Sequence, residues 1–218
     1  MPQQTVTPGG KVETLVQRSA LLKIGCETAK YFFTLLKGEF KEAHSPSLEL
    51  LDEKEEVFEL FNFYAVEGYL PPFLRFDDQQ LQIPNPEMRA KQDLAYLTSA
   101  YAFGERRSAR GFMNAVIDRI IRTWAHKWVF FDSETLDVIY AECYYTPLRR
   151  LAVDIMATSC DTKAHLQQNG DLWPADFAQD VFMKHMDRLD SESRLHAVGQ
   201  HAWLNMSTCS YYVHAQQP

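Results

Sequence analysis

Residues 47–70, SLELLDEKEEVFELFNFYAVEGYL, set two periodicities side by side. SLELL is a short strand candidate. Asp52 follows, with Glu55 three residues on, the spacing of a helix capping box. Val57, Phe58, Phe61, Phe63, Tyr64 and Val66 then supply a broad apolar face at helical spacing, and Gly68 with Pro71 and Pro72 stops it. The carboxylates of 52–56 are adjacent and open a helix. They complement its exposed N–H groups rather than forming a catalytic acid pair, which needs two carboxyls converging across a cleft. They also miss the alternating ligands and central Gly of a calcium loop.

Working toward the N-terminus, TVT (5–7) is a very short strand candidate. KVETLVQ (11–17) is predicted as a strand with Val12, Thr14 and Val16 on one face. Ser19 caps a helix carrying Leu21 and Leu22, and Thr28 caps a second with Tyr31, Phe32, Leu35 and Leu36, ended by Gly38. Working toward the C-terminus, the proline-rich stretch 71–87 is a long connection. Helices are predicted over 88–104 and 107–127, then after a Ser133 cap, after Thr146-Pro147, and over 174–189 and 191–206. Short strands mixed with helices, then helices alone, predict an α+β domain in front of an all-α tail. The expected core gathers Leu21, Leu22, Tyr31, Phe32, Leu35, Leu36, Phe58, Phe61, Leu97, Tyr101, Val116 and Ile117.

The 218 residues carry a net charge of −7, which argues against broad binding to nucleic acid or to anionic membranes. The four cysteines, Cys26, Cys143, Cys160 and Cys209, form no CxxC pair, and no signal peptide or membrane-length apolar run is evident. An intracellular setting, cytoplasm or nucleus, is the expectation. No HExxH, GxSxG, P-loop or GxGxxG pattern occurs, and His196 and His201, five apart, miss the helical metal-pair spacing. Neither catalytic residues, a metal site nor a cofactor is expected. Cys143 is expected to be a buried structural thiol. Arg119, Arg122, His126 and Lys127 are expected as cations toward a helix C-terminus, their stems covering Trp124 and Trp128. In the tail TCSYYVH (208–214), one Cys and one His do not close a zinc site.

VQRSALL (16–22), TAKYF (28–32), LLKGEFKEA (35–43), LELLDEKEEVFELF (48–61) and EGYL (67–70) fall in order with short spacers. AYAFGERRSARGFMNAVID (100–118) and YTPLRRLAVD (145–154) continue the series. In order and spacing these segments resemble a BTB/POZ domain, most closely the fungal BTB domain-containing proteins with a C-terminal helical extension. The chain departs from that pattern at Thr14, Gln17, Tyr64, Val66 and Tyr212.

The resemblance implies a BTB/POZ fold, a helical core with a small flanking sheet, over 11–127. A short segment (1–10) precedes it, and a helical extension (128–207) and a tail (208–218) follow. It implies a non-catalytic protein–protein interaction module that serves as an adaptor for a cullin-type ubiquitin ligase or as a self-association scaffold. The alternative is a structural or transcription-associated subunit of a larger complex. The implied partners are a cullin or another BTB chain, in a homo- or hetero-oligomer. The implied interface residues are Glu55, Glu59, Asn62, Phe63, Phe73 and Phe76.

Overall fold

Six helices carry most of the described chain. They are α1 (Glu55–Glu67), α2 (Pro86–Arg106), α3 (Arg110–Lys127), α4 (Ser133–Glu142), α5 (Pro147–Ser159) and α6 (Ala175–Asp190), followed by a 3₁₀ turn at Thr208–Tyr211. The computed structural model describes residues 5–6, 12–13, 16–17, 47–48, 53–72, 85–143, 147–159, 173–190 and 207–214. The helices predicted before residue 47 and over 191–206 lie outside these residues, as do Leu21, Leu22, Tyr31, Phe32, Leu35 and Leu36.

The α+β expectation, with a sheet flanking the helical core, is overturned: the described residues form an all-α fold. Strand among the described residues is limited to two-residue pieces. Thr5–Val6 pairs with Val12–Glu13, and Val16–Gln17 pairs with Ser47–Leu48, both antiparallel. The single strand expected over 11–17 is thus split between two ladders. A two-residue piece offers one side chain to each face, too little to bury a sheet against a core. The helical repeats are far longer and win the apolar interior.

Local chemistry explains three helix ends. Asn85 Oδ1 accepts from the Glu87 N–H at 2.9 Å, and Pro86 occupies the first turn of α2. Asp132 Oδ1 accepts from Thr135 N–H at 2.8 Å, so Asp132, not the expected Ser133, caps α4. Gly68 ends α1 in the left-handed region at φ 77°, its N–H donating to Tyr64 O. Asp52, the expected cap, lies outside the described residues, and α1 begins after Lys54, which makes no side-chain cap.

Phe61 sits at the centre of an aromatic cluster, with ring centroids 5.3 Å from both Phe103 and Phe112 and 6.3 Å from Phe58. Leu97, Tyr101, Val116 and Ile117 are buried around it, as expected. Gly104 lets the end of α2 lie against the start of α3, because a Cβ there would stand 2.8 Å from Met113 Cγ and 3.1 Å from Phe112 Cδ1. Leu151, Ile155 and Met156 of α5 and Phe177 and Val181 of α6 extend the same cluster of buried side chains, which runs from Val57 to Tyr211.

Candidate interaction surface

The sequence-implied site residues divide between described and undescribed chain. Glu55, Glu59, Asn62 and Phe63 all lie on α1, at spacings that put them on one side of the helix. Glu59 is exposed, and the other three are half-buried. Phe73 and Phe76 lie outside the described residues. Asn62 Oδ1 is buried with no hydrogen-bond partner among the described residues.

Two further residues extend this surface: Val66, which the sequence placed on the apolar face of the helix, and Tyr69, which the sequence reading did not single out. Val66 is 62% exposed and Tyr69 is 55% exposed. Phe63 meets Tyr69 edge to face, at 5.7 Å between centroids and 84° between planes. The missed signal is the aromatic placed directly after the helix-ending Gly68, outside any helical repeat.

The turn presenting Tyr69 is held firmly. Leu70 is buried, and Arg119 of α3 donates to Pro71 O at 2.6 Å and to Pro72 O at 3.0 Å. Sequence reasoning had Arg119 as a cation toward a helix end; the fold uses it to pin three residues that have left α1. Burial, then the neighbouring Arg122, lowers the Arg119 pKa from its ordinary value, against the pull of Asp93. The result is an aromatic pair on a fixed support, rimmed by the acidic Glu59 and Glu67.

The acidic run and the basic ERR segment form a second feature. Glu53, only 7% exposed in its side chain, accepts from Arg106 Nη2 at 2.7 Å and from Arg107 Nη2 at 2.9 Å. Arg106 Nη1 continues to Glu142 at 2.6 Å. Burial works to lower the Arg106 pKa, but the two carboxylates outweigh it and raise it. Together with Lys54, Val57, Ser99 and Val138, these groups line a cleft of about 420 Å³. Its opposite charges pair with one another, so the arrangement ties the start of α1 to the ends of α2 and α4.

Cys143 is buried at the end of α4, and burial, reinforced by Glu105 and Glu142, pushes its thiol up to about 12. The hydroxyls of Tyr96, Tyr140 and Tyr211 are raised as well, first by burial and then by nearby carboxylates. Each group holds its proton more tightly folded than unfolded. The stability they contribute is complete below the unfolded values and is lost as pH rises through the folded ones. Stability is therefore expected to fall steadily from pH 9.0 toward about 12, the span of the Cys143 shift. Denaturant titrations at stepped pH check this. In native alkylation at neutral pH, mapped by mass spectrometry, Cys209, which is exposed, should label while Cys143 stays unmodified.

No helix among the described residues is long and apolar enough to cross a membrane. None of their His, Cys, Asp and Glu side chains gather in threes to hold a metal. The chain matches no protein-family model, no curated protein and no solved structure.

Proposed function

We propose that the chain is a non-catalytic, intracellular protein–protein interaction module whose contact surface is the exposed side of α1 and the turn after it. The observation that supports this reading is the aromatic pair of half-buried Phe63 on α1 and exposed Tyr69, the latter beside Val66 on a turn pinned by Arg119. Aromatic side chains on a rigid support lose little entropy on docking and are frequent anchors of binding energy. The sequence resemblance to BTB domains supports the same side of α1 through Glu55, Glu59, Asn62 and Phe63. Within this reading the chain serves as an adaptor for a cullin-type ligase or as a self-association scaffold. A transcription-associated or purely structural subunit would use the same surface without a ligase.

Affinity capture from native extract, with quantitative mass spectrometry, tests the proposal. Tyr69→Ala should reduce recovery of the specific partner about tenfold or more, with an unchanged melting temperature. Equal recovery by Tyr69→Ala and Phe63→Ala would overturn the α1 surface. Recovery of a cullin favours the adaptor, and a concentration-dependent dimer in light scattering favours the scaffold.

A further inference from the structure

The C-terminal segment 207–214 lies in a groove between α3 and α5 as a peptide lies in a receptor. Asn114 of α3 accepts from Val213 N–H at 2.7 Å, and its amide Nδ2 donates to Val213 O at 3.4 Å, so one side chain engages both backbone groups of one residue. Arg150 of α5 donates to Ser210 O at 2.9 Å. Two tyrosine hydroxyls then find two aspartates: Tyr211 donates to Asp154 and Tyr212 to Asp118, each at 2.8 Å. Tyr211 is buried, and Lys184 of α6 holds the other oxygen of Asp154 at 2.7 Å. Thr208 Oγ1 donates to the Tyr212 hydroxyl at 2.9 Å, which fixes the segment's own shape.

These contacts combine backbone recognition with two side-chain pockets, the division of labour by which receptors bind peptides. They come from α3, α5 and α6, none of which adjoins the segment in sequence. Residues 191–206 separate it from α6. Such a length spans roughly 24 Å as the helix the sequence predicts and roughly 50 Å fully extended.

We propose that the α3–α5 groove is a peptide-recognition site for the segment 207–214, and that it accepts this segment from a second copy of the chain as well as from its own. The groove is incomplete without a tail, and either copy's tail supplies the same two tyrosines. Tethering gives the chain's own tail an effective concentration on the order of millimolar. Exchange therefore becomes evident when the internal competitor is weakened. This surface lies apart from the exposed side of α1, and the proposal stands independently of what α1 binds.

Two full-length variants test it. Asn114→Ala with Asp118→Ala disables the groove and leaves the tail sound. Tyr211→Ala with Tyr212→Ala disables the tail and leaves the groove sound. Each alone should remain monomeric in light scattering, and the mixture should form a one-to-one dimer. Two folded variants that stay monomeric when mixed at high micromolar concentration would overturn the proposal. Should either variant lose its melting transition, labelled peptide 207–214 is titrated against Tyr212→Ala, in which the chain's own tail is weakened at its half-buried tyrosine. Saturable binding weakened about tenfold by Asn114→Ala supports the site, and no saturation at millimolar peptide refutes it.

Discussion

Phe61→Ala is expected to lower the unfolding free energy by about 3–5 kcal/mol, the range for deleting a large buried aromatic. Phe61 is fully buried, and its ring is shared by three helices through Phe58, Phe103 and Phe112. Removing it leaves a cavity that no single helix can close, because α2 and α3 are locked together at Gly104 with no slack at their contact. A loss of this size is a large fraction of the roughly 5–15 kcal/mol that stabilises a typical domain. Urea titration followed by far-ultraviolet circular dichroism measures it, and Phe61→Leu should recover more than half of the loss. A midpoint for Phe61→Ala equal to wild type would remove Phe61 from the centre of the core.

Glu53→Ala is expected to cost about 2–3 kcal/mol. Removing one partner of a buried ion pair costs about 3–5 kcal/mol when the abandoned charge stays dry. The cost is smaller here because Arg106 is 39% exposed in its side chain and keeps Glu142. Arg107, at 14% exposed, loses its Glu53 ion pair in a drier place and keeps its contact over the Phe103 ring. Glu53→Gln retains acceptor geometry without charge and should fall between wild type and Glu53→Ala. In a cycle with Arg106→Ala, a coupling energy near zero would show that the network contributes nothing. Added salt should narrow the gap only modestly, since Glu53 is largely shielded from solvent.

The same residue shows where sequence reading stops. In the row DEKEE, Glu53 is one carboxylate of several, and the helix-dipole rule treats them alike. Arg106 and Arg107 stand more than fifty residues away, and only the packing of α2 beside α1 selects Glu53 as their acceptor. The strand expectation failed for a related reason. Val12, Thr14 and Val16 alternate correctly, but alternation says nothing about whether a partner strand of matching length exists. Among the described residues each ladder pairs only two residues of one strand with two of another. The cap of α4 erred by one residue, at Asp132 for Ser133, because the choice depends on which oxygen reaches an amide.

What the sequence determined by itself was the helical interior from residue 55 onward. Phe58, Phe61, Leu97, Tyr101, Val116 and Ile117 recur at helical spacing and all are buried. Gly68 and Pro147 mark a helix end and a helix start through their own backbone chemistry. The tertiary structure alone decided the all-α class, the Glu53 network, the pinned turn that exposes Tyr69 and the docking of Tyr211 and Tyr212. Periodicity and capping act within a few residues, so one segment carries the information. Ion pairs, exposed faces and grooves are made by residues far apart in the chain, and they exist only once the helices have packed.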